Sequence, residues 1–157
     1  ESAFSKMAGN EKVFLVTHRQ DNAGNKKIYA DLLKLRQALI NILKNCIDAI
    51  AENEDNKGKR IDVSVLIEPI TIDATMDKKI THAKEMVHIE IRDNGKGICE
   101  AHISEIFQPM FTYGKKDGTG LGLSVVRKIV EDHKGKIEAV SVLGTGTAIH
   151  IYLPILK

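Results

Sequence analysis

Two glycine clusters sit where this chain must change direction, and they constrain its fold more than any other feature. The first, Asp93-Asn94-Gly95-Lys96-Gly97-Ile98, follows an apolar strand-like run, Met86-Val87-His88-Ile89-Glu90-Ile91-Arg92, so a carboxylate is delivered straight off the end of a strand. The second, Gly118-Thr119-Gly120-Leu121-Gly122-Leu123, runs into a helical pattern carried by Leu121, Leu123, Val125, Val126, Ile129 and Val130. Glycine lets a backbone turn sharply or approach a ligand with no Cβ in the way. Glycines leading into a helix start make an anion site, because free N–H groups and the positive end of the dipole point at the same spot. One cluster therefore offers a hydrogen-bonding carboxylate and the other a phosphate cradle. Together they point to a nucleotide held at both ends. Neither string is a common phosphate motif: the Lys-Ser/Thr of the P-loop is absent, and the glycine spacing is not that of the dinucleotide fingerprint.

The 157 residues suffice for one domain with a proper core. Apolar and charged fractions of 43% and 28% are those of an ordinary globular protein, and no run approaches a membrane span or opens as a signal peptide. A net charge of +2 with scattered basic residues gives no footprint for nucleic acid, and none is expected as a partner. Cys46 and Cys99 lack metal-type spacing and read as two reduced thiols of a cytoplasmic domain. The chain starts at Glu1 rather than methionine, so a piece of a longer protein is expected.

Residues 1–10 carry no periodic signal. Lys12–His18 reads as a strand and Lys27–Ala30 as a second, joined by a turn over Asp21–Asn25, so residues 1–30 are expected to form an N-terminal hairpin of the same domain. Asp31 is a candidate N-cap. From Leu32 to about Ala51, Leu32, Leu35, Leu39, Ile42, Leu43, Cys46 and Ile50 recur at helical spacing, which predicts one amphipathic core helix. Its other side carries Gln37, Asn41, Lys44, Asn45, Asp48 and Glu52. Most such faces are merely solvated, but asparagine is a poor helix former. Two of them one turn apart stack side-chain carbonyls suited to Mg²⁺.

Ile61, Val63, Val65 and Ile67 alternate as a half-buried strand. Pro69–Glu85 reads as an inserted hairpin or mobile loop. A short helix around Ala101–Phe107 leads into residues 108–119, which with Lys115 and Lys116 have the character of a lid over phosphates. A helix from Gly120 to about Lys134 stops at Gly135, and Lys136–Val142 and Thr147–Leu153 form strands around the turn Leu143-Gly144-Thr145-Gly146. Five or more strands and three helices, with hairpins at both ends, favour an α/β two-layer sandwich: a mixed, mostly antiparallel sheet with the helices on one face.

Four of these segments, in this order, resemble the boxes of histidine-kinase ATP-binding domains. Asn41-Ile42-Leu43-Lys44-Asn45 looks like the N box, Asp93–Ile98 the G1 box, Phe107-Gln108-Pro109-Met110-Phe111-Thr112 the F box, and Gly118-Thr119-Gly120-Leu121-Gly122-Leu123-Ser124 the G2 box; Gly144-Thr145-Gly146-Thr147 matches the closing glycine motif. Pro109–Thr112 and His133-Lys134-Gly135 are similar to sensor kinases of the nitrogen-regulation type. The resemblance covers the chain from about Asp31 and implies the Bergerat (GHKL) fold shared with gyrase, mismatch-repair and chaperone ATPases. It implies that Asp93 binds the adenine amino group, that Gly97 leaves room beside the ring, and that Thr147 supports Asp93 through water. It places Asn45 on Mg²⁺, Asn41 near the phosphates and Asp48 behind them. Gly118, Gly120 and Gly122 would hold the triphosphate, Phe107 and Phe111 anchor the lid, and Lys115 or Lys116 meet the γ-phosphate. The other box positions, Gly95, Ile98, Thr112, Thr119, Leu121 and Leu123, are expected in the same ATP-binding set.

Hydrolases of this superfamily place a glutamate base one turn before the Mg²⁺ asparagine; here that position is Asn41, which cannot take a proton from water. That favours phosphoryl transfer. The six histidines, at 18, 82, 88, 102, 133 and 150, lack the helical, acid-flanked setting of an acceptor and read as structural or surface groups. The expectation is the catalytic, ATP-binding domain of a two-component sensor histidine kinase. Its partners would be ATP, a histidine-containing dimerisation domain absent from this chain, and a response regulator downstream. The full-length protein is left open to membrane anchoring. The alternatives are a GHKL-type ATPase, a serine-directed protein kinase of the same fold, or a non-catalytic nucleotide-sensing module.

Overall fold

The computed structural model describes residues 3–8, 11–19, 26–53, 58–71, 83–112 and 120–156. Six strands form one sheet in the order β1-β2-β3-β4-β6-β5. They are β1 Ala3–Ala8, β2 Glu11–Arg19, β3 Arg60–Thr71, β4 Ala83–Asp93, β5 Lys136–Val142 and β6 Gly146–Pro154. Every pairing is antiparallel except β2–β3, which is parallel because helix α1, Leu32–Ala51, intervenes as a crossover.

Helix α1 begins where the sequence places it. The Asp31 carboxylate accepts from the N–H groups of Leu33 and Lys34 at 3.0 and 3.1 Å, satisfying two of the amides that a helix start leaves without partners. Its buried stripe is Ala38, Ile42, Cys46 and Ile50, and it packs with Val126, Ile129 and Val130 of helix α3, Gly122–Asp132. Both helices lie on one face of the sheet, against Ile91 of β4 and Ile149, Ile151 and Leu153 of β6. Burying each isoleucine or leucine contributes about 1.5–3 kcal/mol, so this seam is the main source of stability. Leu32 is not part of it: Leu32 and Leu33 are 78% and 75% exposed. The third helix, α2, Glu100–Ile103, is a single turn.

Three expectations are corrected. Residues 3–8, without periodic signal, form the edge strand β1, so the N-terminal hairpin is β1–β2. Lys27–Ala30 is no strand of that hairpin: Ile28 makes an isolated bridge with Ile155, and Lys27 O accepts from Leu156 N–H at 2.7 Å. The proposed turn at 21–25 lies outside the described residues. At the end of α3 the left-handed residue is Lys134, φ 57°, rather than Gly135. Gly135 is needed for space, since a Cβ there would lie 2.4 Å from Tyr152 O. Of the segment 69–85, residues 69–71 and 83–85 pair with one another as the continuation of the β3–β4 hairpin, as one of the two sequence readings has it; residues 72–82 lie outside the described residues.

Candidate functional site

A cavity of about 370 Å³ opens between α1, the end of β4 and the start of α3, a size typical of small-molecule sites. The polar side of α1 contributes Asn41, Asn45 and Asp48. These stand at i, i+4 and i+7, so successive turns present amide and carboxylate oxygens along one wall. Asp93, Gly97 and Ile98 form the inner end, with Thr147 of β6 beside them; Phe111, Thr112, Gly120, Gly122 and Leu123 complete the opposite side. Three other predicted residues are held elsewhere. Gly95 lies under α1, where a Cβ would meet Ala49 at 2.5 Å. Phe107 faces a separate hollow between α3 and β5, with Arg127 and Ile137. Leu121 is 47% exposed outside the cavity. Lys115, Lys116, Gly118 and Thr119 lie outside the described residues.

Asp93 is the electrostatic centre of the inner end. The β4–β6 register sets it opposite Thr147, and it is 6% exposed. Its Oδ1 accepts from Gly95 N–H at 2.8 Å and Thr147 N–H at 3.3 Å. Burial raises the pKa of Asp93 above the usual carboxylate value, opposed by hydrogen bonds from Gly95, the Cys46 thiol and Thr147. A buried acceptor that neutralises nothing nearby suits a neutral donor such as an exocyclic amine. Thr147 thus touches Asp93 directly through its backbone, while its side chain turns to Ser141 at 2.9 Å.

Backbone geometry closes this end. Gly97 has φ 68°, and a Cβ on it would sit 2.1 Å from Val142 O, so no other residue fits without moving the β5–β6 turn. On the far side Met110 N–H donates to Gly120 O at 3.0 Å, and Gly120, φ 67°, approaches Met110 too closely for a Cβ. That bond fastens together the two ends of the segment predicted as a lid.

Helix α3 opens into the cavity at Gly122. Leu121 supplies no side-chain cap and the first turn carries no acidic residue, so its positive end is presented to whatever occupies the cleft. Asn41 Nδ2 donates to Gly122 O at 3.3 Å, tying the polar wall of α1 to this helix start.

Several contributors escaped the sequence reading. Ser141 accepts from Ile98 N–H at 2.8 Å and donates to Gly146 O at 2.8 Å, bracing both glycine turns. Cys46 reads as a core residue yet reaches Asp93. Lys44 and Lys96 line the mouth, and Lys96 is ion-paired with Glu52. Of these, Lys44 lies inside the N box and Lys96 inside the first glycine cluster, which is the signal they carried. His133 proves structural: Nε2 accepts from Asp31 N–H at 2.9 Å and Nδ1 donates to Ile129 O at 2.7 Å, joining the start of α1 to the end of α3.

The family described as histidine kinase-, DNA gyrase B- and HSP90-like ATPases matches residues 30–157. The chain belongs to this family. Among relatives of this ATPase domain are the sensor histidine kinase ZraS of Salmonella typhi, 37% identical over 131 residues, and sporulation kinase E of Bacillus subtilis (strain 168), 35% identical over 128. A third is the sensory histidine kinase/phosphatase NtrB of Vibrio alginolyticus, 33% identical over 147 residues. The matches take in 83%, 82% and 91% of this chain but only 24%, 15% and 38% of those proteins, so the chain spans a minor part of their length. The solved structure of the mycobacterial sensor histidine kinase MprB superposes with a TM-score of 0.65 at 23% identity, over 90% of this chain and 80% of that one, showing the same fold. Among the described residues no helix is long and apolar enough to cross a membrane.

Proposed function

We propose that this ATPase-family domain is the catalytic part of a longer sensor histidine kinase, binding ATP with Mg²⁺ and giving the γ-phosphate to a histidine on a dimerisation domain outside this chain. The observation that carries the reading is one cavity with three complementary walls. It holds a buried carboxylate at one end, an uncapped helix start at the other, and an asparagine-rich helix face between them.

Asp93 would accept from the adenine amino group, with Gly97 and Ile98 beside the ring. The amides at the start of α3 would hold phosphate oxygens, and Thr112 and Phe111 would flank the nucleotide from the base of the lid. The donor set on α1, amide and carboxylate oxygens one turn apart, fits a hard cation, and Asn45 would hold it, with Asn41 near the phosphates. Held there, Mg²⁺ would supply neutralisation of phosphate charge. The protein's own contribution is then positioning and charge complementarity rather than proton transfer. Asn41 supports transfer over hydrolysis, because an amide cannot deprotonate an attacking water. We further propose a cytoplasmic setting, with the whole kinase open to membrane anchoring, and a response regulator as the next acceptor.

Calorimetric titration with a non-hydrolysable ATP analogue, with and without Mg²⁺, tests the reading. Micromolar, Mg²⁺-dependent binding is expected. Absence of binding in both conditions would overturn it.

A further inference from the structure

The sheet face turned away from the helices carries a group of side chains that the nucleotide site does not use. His88 and Glu90 alternate along β4, and His150 on β6 is paired in register with Glu90. The β-strand period sends all three to the same face. His88 Nε2 and His150 Nδ1 are 3.0 Å apart, His150 Nδ1 is 3.7 Å from Glu90 Oε2, and one ligand atom from each of the three lies within 4.8 Å of the others. His88 is only 6% exposed, stacked on Tyr152 with ring centroids 4.5 Å apart and an interplanar angle of 21°. Its Nδ1 is buried and, among the described residues, has no aligned hydrogen bond, although Glu68 Oε1 stands 2.7 Å away.

From this geometry we infer a second site, for a transition-metal dication of the zinc class, held by His88 Nε2, His150 Nδ1 and a Glu90 oxygen. Two imidazole nitrogens and one carboxylate oxygen are a common three-ligand set for such an ion, with a fourth position left for water. Bonds of about 2.0–2.1 Å in tetrahedral geometry set ligand atoms roughly 3.3–3.5 Å apart. The 3.0 and 3.7 Å separations bracket that range, so small side-chain rotations complete the site. Glu68 is placed for the supporting part: a small rotation would let its Oε1, 2.7 Å away, accept from His88 Nδ1–H and so fix the tautomer in which Nε2 is the bare nitrogen. Glu90 can serve with one oxygen while Arg92 Nε donates to its other oxygen at 2.8 Å. Hard-oxygen cations do not select such a nitrogen-rich set, which separates this site from the Mg²⁺ proposed in the cleft. The bound ion would clip β4 to β6, the strand pair that presents Asp93 and Thr147 on its other face.

The test is titration of the nucleotide-free protein with Co²⁺ in excess Mg²⁺, followed by visible absorption. Competition with Zn²⁺ against a chromophoric chelator is measured alongside. One equivalent with a tetrahedral-type cobalt band is expected. Affinity should fall at least tenfold in His150→Gln, and by 10- to 100-fold in Glu68→Gln, which touches no metal. His150 is half-buried rather than core, and a circular-dichroism melt confirms that each variant is folded. Cys99→Ser should bind as the unmodified chain does. Failure to bind either ion, unchanged affinity in His150→Gln, or loss of the band in Cys99→Ser would each overturn the proposal.

Discussion

Replacing Asp93 by Asn separates recognition from folding at one position. The substitution keeps the size of a side chain that is 6% exposed and removes its charge. Two charge-assisted hydrogen bonds, from Gly95 and Thr147, become neutral ones, a loss of about 1 kcal/mol each. Against this stands the relief of a buried charge, and the direction of the pKa decides which wins. Burial raises the pKa of Asp93 despite those bonds, so the site as a whole favours the neutral form. The Asn variant should therefore be at least as stable as the unmodified chain at neutral pH. Sign and window follow from the same shift. Between the ordinary value of 3.8 and the raised folded value, the folded state holds a proton that the unfolded state has released. Stability of the unmodified chain therefore declines as pH rises through that window, and the Asn variant lacks this component. Binding behaves oppositely. If the amide oxygen keeps the Gly95 and Thr147 bonds, its NH₂ meets the adenine amino group donor to donor. Losing a charge-assisted bond and stranding a donor together cost about 3 kcal/mol or more, at least ~150-fold in affinity. Calorimetry with the ATP analogue and thermal melts from pH 4 to 8 read both quantities. A variant that binds within tenfold of the unmodified chain, or melts more than about 6 °C lower at pH 7, would refute the reasoning.

Three further changes test the scaffold. Gly97→Ala places a Cβ at positive φ and 2.1 Å from Val142 O; urea denaturation should show a loss of about 3 kcal/mol or more. Ile42→Ala empties a position that is 1% exposed beneath α1, and the same assay should show about 2–5 kcal/mol. Asp31→Ala removes the cap that receives Leu33 and Lys34 N–H; a loss of about 1 kcal/mol is expected, with nucleotide affinity unchanged because the cap is at the end of α1 far from Asn45 in sequence.

What was legible in the sequence is what local periodicity determines. Helix α1 runs from Leu32 to Ala51 as its spacing and cap require, and β4, β5 and β6 fall where apolar residues alternate. Asn41, Asn45, Asp93, Gly97 and Thr147 do converge on one cavity. The misses are long-range. Strand β1 has no pattern of its own and is extended because β2 offers it an edge, and Ile28 finds Ile155 rather than its neighbour in sequence. Phe107 carries the right motif, but its direction depends on how α3 meets β5, which no local spacing encodes. The parts played by Ser141 and Cys46 likewise exist only once the sheet is assembled.

The pairing of Asp93 with Thr147 also sets an order in time. Strand β4 is finished by residue 93, yet its neighbour in the sheet on the far side from β3 is β6, the last strand of the chain. Until residues 146–154 have been synthesised and docked, Asp93 lacks the Thr147 amide, and the turn that confines Gly97 has no anchor. A nascent chain can form the β3–β4 hairpin and helix α1 early, as local elements do. The nucleotide cleft, however, is among the last features to exist. A chain truncated before β6 would keep every residue of the α1 wall and still have no pocket to bind with.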